Sequence, residues 1–199
     1  MEKKILEAAE ILFIEQGFEK TTTGQIAKIA GCNQALVHYY YRTKEQLFQK
    51  IFKEKVQIIT QMFNVIVEQN TDFLQTLRLL IETQFKFIAQ NQQLPMFIFK
   101  EIVSNNENRE WAIKTLFPHL LPFISAIEKM LNIEISKGAV RPITIQNLMM
   151  NIISLNISTF VALPLLKETL YSDSSNEIEN ILNERCESNV QFILKALQP

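Results

Sequence analysis

Glycine is scarce in this chain, four residues in 199, and proline is little commoner at six. So small a supply excludes collagen-like and low-complexity segments and leaves no glycine-rich loop to cradle a phosphate. Only two cysteines are present, Cys32 and Cys186, far apart and outside any CxxC or Cys/His spacing. That removes a disulfide framework and a zinc site from consideration. The two histidines, His38 and His119, are few, and neither GxSxG nor HExxH occurs, so no enzyme, cofactor or metal is expected. Strand signals are missing too: there is no Asn-Gly hairpin turn and no sustained apolar–polar alternation. No apolar stretch reads as long enough to cross a bilayer, and the opening Met1-Glu-Lys-Lys-Ile5 lacks the apolar block of a signal peptide. A cytoplasmic protein without a membrane partner is the expectation. An excess of one charge is also absent, the formal net charge being −1. Residues 1–56 carry nine Lys/Arg against seven Asp/Glu, and the remainder eleven against fourteen. This slight N-terminal excess permits nucleic-acid binding there without demanding it.

What the chain does contain is apolar residues, 47% of the total, recurring at intervals of three or four. That period is helical, and an all-α fold of about nine helices follows. The first carries the stripe Ile5, Leu6, Ala9, Leu12 and Phe13, with Gly17 as a left-handed stop and Phe18 covering its last turn. Thr22 or Thr23 is placed to cap a short second helix, closed by Gly31. Asn33 caps a third from Gln34 to about Tyr41, and Thr43 a long fourth that ends near Gln69. Further helices are expected at roughly 72–91, 94–105, 107–137 (broken near Pro118 and Pro122), 144–168 and 175–197. Breaks are expected at Gly138 to Pro142 and at Ser172 to Asn176.

The most informative stretch is the short helix, glycine turn and short helix from Thr23 to Tyr41. Two short helices that cross steeply, so that one can enter a major groove, need a small residue at the crossing and a turn residue free to adopt positive φ. Ala27 and Gly31 meet these needs, and Ile26, Ala30, Val37 and Tyr40 are available to anchor the pair from below. The segment Thr23-Gly-Gln-Ile-Ala-Lys-Ile-Ala-Gly-Cys-Asn-Gln-Ala-Leu-Val-His-Tyr-Tyr-Tyr-Arg-Thr-Lys-Glu-Gln-Leu47 resembles the TetR family of transcriptional regulators. It shares the family's order of Thr, Ile-Ala, Ala-Gly, an aromatic cluster and Lys-Glu-x-Leu. Ala8-Ala9, Phe13 and Gly17-Phe18 fit the same template, so the likeness covers about residues 3–52. The chain departs from the pattern at Cys32, Asn33, Ala35, His38 and Tyr41, positions that bear on which DNA is read more than on the fold.

The resemblance implies a three-helix DNA-binding domain, residues 1–46, joined to a helical ligand-binding and dimerisation domain, residues 47–199. Double-stranded DNA is then the partner. Gln34, Ala35 and Leu36 open the recognition helix and are candidates for base edges: a glutamine amide pairs with adenine, and a leucine meets a thymine methyl. Thr23, Gln25, Asn33, His38, Tyr39, Tyr40 and Lys44 complete the candidate contact set, directed to phosphates or packed beneath the helix. One recognition helix reads only a few base pairs, so a homodimer on a near-palindromic site is expected. Leu148, Ile152, Ile181, Arg185 and Phe192 of the last two helices are its candidate interface, forming a four-helix bundle as TetR-like proteins do. Family likeness further implies a repressor released by a small hydrophobic effector. Met62, Phe63, Phe85, Phe99, Trp111, Met130 and Phe160 are candidates for its pocket, and the long fourth helix is the lever to the DNA-binding head. The competing reading is a TetR-fold protein-interaction module with little sequence-specific DNA binding.

Overall fold

A computed structural model describes residues 1–69, 71–170 and 175–199, with the side chains of 166–170 and 175–177 excepted. Among the described residues there are ten helices and no strand: α1 (Glu2–Gln16), α2 (Thr23–Ala30), α3 (Gln34–Tyr40), α4 (Lys44–Glu68), α5 (Phe73–Gln90), α6 (Leu94–Ser104), α7 (Asn106–Thr115), α8 (Phe117–Ser136), α9 (Ile145–Leu170) and α10 (Ser175–Ala196). The tenth helix arises because the expected 107–137 element divides at Leu116 into α7 and α8. Pro122, expected to break it, lies inside α8. Both Pro122 and Pro118, whose carbonyl loses its usual N–H partner, are exposed, so water can replace the missing bond. The expected break at 172–176 falls partly outside the described residues, since α10 already begins at Ser175.

Side-chain caps set several boundaries. Asp72 accepts from the Gln75 N–H at 3.0 Å to start α5, and Asn105 from that of Asn108 at 3.0 Å to start α7. The chain forms two compact units, residues 1–58 with 93–118, and residues 59–92 with 119–199. This is not the division expected at 46/47, because α6 and α7 group with the N-terminal helices.

The first unit is built around phenylalanine. Phe13 lies 5.2 Å from Phe18 and 6.0 Å from Phe97, and Phe48 lies 5.8 Å from Phe18 and 5.4 Å from Phe97, measured between ring centroids. Tilted and edge-on ring pairs at such distances add to the apolar burial itself. Glu101 on α6 is buried in the same unit. Burial, and secondarily the nearby Glu19 carboxylate, push its pKa up, against the opposing pull of Lys100 and Lys44. A carboxyl whose folded pKa lies above its unfolded one loses stability for the protein as pH rises past the unfolded value. Glu101→Gln is therefore expected to raise the thermal midpoint at pH 7 and to leave it unchanged at pH 3, where both states hold the proton. Thermal melts at the two pH values check this, and a lower midpoint at pH 7 would refute it.

In the second unit, Phe63 stacks on Phe123 at 5.0 Å within a core that includes Leu77, Ile81, Ile127, Leu131, Leu148 and Val190. A second cluster gathers Phe85, Ile88, Phe160 and Cys186. Polar groups join α5, α9 and α10 at the centre. Asn156 donates to the Ile81 carbonyl at 3.1 Å and to Gln84 Oε1 at 2.9 Å, and accepts from Asn189 at 3.0 Å. Arg141 ties the loop after α8 to the end of α10 through the Ala196 and Leu197 carbonyls.

α9 corrects the expectation about apolar runs. Residues 145–165, with mean hydropathy 1.7, are long and apolar enough to cross a membrane by length and composition alone. In this fold one face of the helix, Ile145, Leu148, Ile152, Asn156 and Phe160, is buried, and the helix packs against α5 and α10.

Candidate nucleic-acid interface

Local chemistry builds the reading head. Thr21, buried after α1, donates its hydroxyl toward the Gly17 carbonyl at 2.8 Å and the Leu12 carbonyl at 3.2 Å, locking the turn. Gly17 there has φ +86° and ψ 161°, so it has positive φ but not the left-handed helical conformation expected of it. Thr22, rather than Thr23, caps α2 in a reciprocal box: its Oγ1 accepts from the Gln25 N–H at 3.2 Å, and Gln25 Oε1 accepts from the Thr22 N–H at 2.8 Å. Gly31, at φ +68° and ψ +39°, closes α2 in the left-handed region that an L side chain resists. Asn33 Oδ1 then accepts from the Leu36 N–H at 2.9 Å to start α3.

Ile26, Ala27, Ala30 and Val37 are buried between α1, α2 and α3. Tyr40, expected among these anchors, is instead exposed, and its neighbour Tyr41 is buried. α3 ends at Tyr40, and the extended backbone of Tyr41 (φ −135°) takes that residue off the helical face. Burial, together with the Glu2 carboxylate that accepts from the Tyr41 hydroxyl at 3.3 Å, pushes the phenol up to about 12.

The candidate contact residues divide accordingly. Gln34, Ala35, His38, Tyr39 and Tyr40 are exposed, Tyr39 at 78%, while Leu36 and Thr23 are half-buried. Gln34 Nε2 donates to Thr23 Oγ1 at 2.7 Å, joining the start of α3 to the start of α2. Asn33 and Gln25 spend their side-chain oxygens on caps. Lys44, expected at a phosphate, donates its ammonium to the Phe18 carbonyl at 2.8 Å and lies 4.3 Å from the centre of the Phe18 ring. What Lys44 does here is hold the loop after α1 against the start of α4. Cys32 is half-buried and its N–H donates to the Ala27 carbonyl at 2.9 Å, consistent with a small residue filling the turn.

The expected ligand pocket is scattered. In the second unit a cavity of about 30 Å³ lies among Phe63, Leu80, Gln84, Phe123, Ile127 and Ile152. That is room for a water or two, far below the roughly 300 Å³ at which drug-sized sites begin. Of the candidates, Phe63 lines it, Met130 packs against the surrounding core, and Phe85 and Phe160 pair with each other at 5.0 Å in the adjoining cluster. Met62 and Phe99 are exposed, and Phe99 and Trp111 belong to the other unit, Trp111 lying 6.1 Å from Phe52. Gln84, the polar group on the cavity wall, was missed because an amide in an apolar stripe carries no distinguishing periodicity. Of the candidate interface residues, Leu148 and Ile152 are buried in their own core, Ile181 is half-buried, and Arg185 and Phe192 are exposed. Among the described residues no three of His, Cys, Asp or Glu gather as a metal site.

Comparison with known proteins agrees with this geometry. Residues 5–51 match the family model for bacterial regulatory proteins of the tetR family. The HTH-type transcriptional regulator YhgD of Bacillus subtilis is 26% identical over 141 residues, covering 70% of this chain and 72% of that protein. The HTH-type transcriptional regulator QacR of Staphylococcus aureus is 41% identical over 51 residues, 26% of this chain and 27% of its own. In fold, the transcriptional regulator FadR from Bacillus subtilis, solved in complex with stearoyl-CoA, superposes over 100% of both chains with a TM-score of 0.75 at 18% identity. Residues 5–51 thus carry the helix-turn-helix domain of the tetR family of bacterial regulatory proteins, and the chain as a whole is similar to DNA-binding transcriptional regulators that share it.

Proposed function

We propose that this regulator is a cytoplasmic repressor that binds a near-palindromic operator as a homodimer and leaves it when a hydrophobic ligand enters the second unit. The observation that carries the reading is the outward presentation of α3, whose first turn is capped by Asn33 and whose Gln34, Ala35, His38 and Tyr39 are open to solvent. A second recognition helix is needed for tight, selective binding. Exposed Met150 and Val161 on α9, with Phe192 on α10, are the apolar groups that pairing of the last helices would cover, and they replace Leu148 and Ile152 in that role. The ligand reading draws on the FadR structure, which holds stearoyl-CoA, and on the apolar walls of the cavity beside Phe63. A long acyl or similarly apolar compound is the effector class. Its entry would require the core around that cavity to open, and the long α4 is the proposed lever to the DNA-binding head.

The experiment is selection of bound duplexes from a random pool, followed by gel-shift titration with long-chain acyl compounds. An inverted repeat should be recovered, and at least one such compound should release it. A pool that stays random after selection would sink the operator reading, and an inverted repeat that no apolar compound releases would sink the effector.

A further inference from the structure

The amide of Gln34 is held in one orientation, and three hydrogen-bonding contacts hold it. The anchor is the carbonyl of Arg42, which can only accept. His38 Nδ1 lies 3.4 Å from it, so that nitrogen carries the proton. In the neutral ring the other nitrogen is then an acceptor, and the Gln34 atom 3.5 Å from it is the donor Nε2. The same Nε2 donates to Thr23 Oγ1 at 2.7 Å. Both amide hydrogens are thereby engaged within the protein, while Oε1 takes no hydrogen bond among the described residues.

We infer that Thr23 and His38 are positioning residues that decide which base Gln34 reads, selecting adenine against guanine. This rests on Gln34 meeting a base edge, as proposed above. An adenine pairs with a glutamine through one acceptor, for its N6 amine, and one donor, for its N7. The string supplies both: Oε1 is already free, the longer contact to His38 is the one exchanged for N7, and Thr23 keeps its hold on Nε2, while the acceptor nitrogen of His38 beside the amide repels Oε1 and so stops the amide from turning over. Guanine presents two acceptors, O6 and N7, so an amide held this way sets oxygen against oxygen. Without His38 the amide can turn over on the Thr23 hydroxyl, which donates as well as accepts, and without Thr23 it loses the anchor that holds it beside His38; in either case it can offer its NH₂ group to guanine instead. Thr23 thus acts through Gln34, not on a phosphate.

The test uses the full chain and the operator it selects. The relevant base pair is the one whose preference Gln34→Ala abolishes, and affinities are measured with adenine or guanine placed there. Wild type is expected to prefer adenine about tenfold or more. Thr23→Val and His38→Phe should each shrink that ratio at least fivefold without changing preferences elsewhere in the site, and Thr23→Ser should restore it. Thr22 supplies the cap of α2, so valine at position 23 leaves the cap in place. Should His38→Phe melt early, the Val and Ser pair at position 23 decides alone. An unchanged ratio in Thr23→Val, a wild-type preference for guanine, or an affinity loss equal for all sequences overturns the inference. A wild type that selects no sequence overturns it together with the operator reading, which separates the two failures.

Discussion

Phe48→Ala is expected to destabilise the first compact unit by about 3–5 kcal/mol, the usual cost of deleting a fully buried aromatic ring. Phe48 is wholly buried, and its ring touches those of Phe18, Phe52 and Phe97, so three elements lose their common contact at once. The void cannot close easily. Phe18 is held by the loop that Lys44 binds, and Phe97 by Phe13 on its other side. Against a typical total of about 5–15 kcal/mol, such a loss removes much of the population able to bind DNA. Phe48→Leu, which keeps most of the volume, should cost about 1–1.5 kcal/mol. Urea titration followed by circular dichroism measures both, and a loss under 1 kcal/mol for the alanine variant would show that the ring cluster is not a centre of stability.

The second large effect is expected at the other unit. Asn156→Leu should cost about 2–4 kcal/mol, because it strips the buried Asn189 amide of its acceptor and leaves the half-buried Gln84 Oε1 without its donor. Asn189 keeps only the Leu155 carbonyl, at 3.3 Å. The asymmetry of hydrogen-bond energetics makes the double variant informative: with Asn189→Leu added, one orphaned amide disappears and apolar contact replaces it. The double variant is therefore expected to lose less than the sum of the two singles by about 1 kcal/mol or more. Additive losses in urea titration would mean that the two asparagines stabilise the core separately and do not act as one α9–α10 link.

The acid side of stability was not legible at all before the fold. Glu187 lies 109 positions from Arg78, yet the guanidinium donates to both of its oxygens, at 2.7 and 3.1 Å, and holds its carboxyl down to about 2. Periodicity had no means of pairing them, since charge on a helix surface repeats in every direction.

Elsewhere the amino acids spoke clearly. Gly31, Asn33 and Thr43 act within three or four residues of themselves, through a positive φ or a side-chain oxygen reaching a backbone N–H. Such effects depend on residue type and spacing, and all three lie where the spacing put them. The stripe of α1 is likewise buried at Ile5, Ala9, Leu12 and Phe13. Ambiguity begins where two neighbours offer the same chemistry. Thr22 and Thr23 differ only in which one has extended backbone, and Tyr40 and Tyr41 in which side of a helix end they fall.

By itself the sequence determined an all-helical chain, its helix-turn-helix segment and the caps that delimit it, because each depends on interactions between residues a few positions apart. Only the tertiary structure decided which face of each apolar stripe is core. Leu148 and Ile152 turn inward while Met150 and Phe192 remain outside, since a helix with apolar residues on more than one side can bury only the side its neighbours cover. It also decided that Lys44 holds a loop and that Gln34 is held by Thr23, contacts set by how α1, α2, α3 and α4 pack, which no local period encodes.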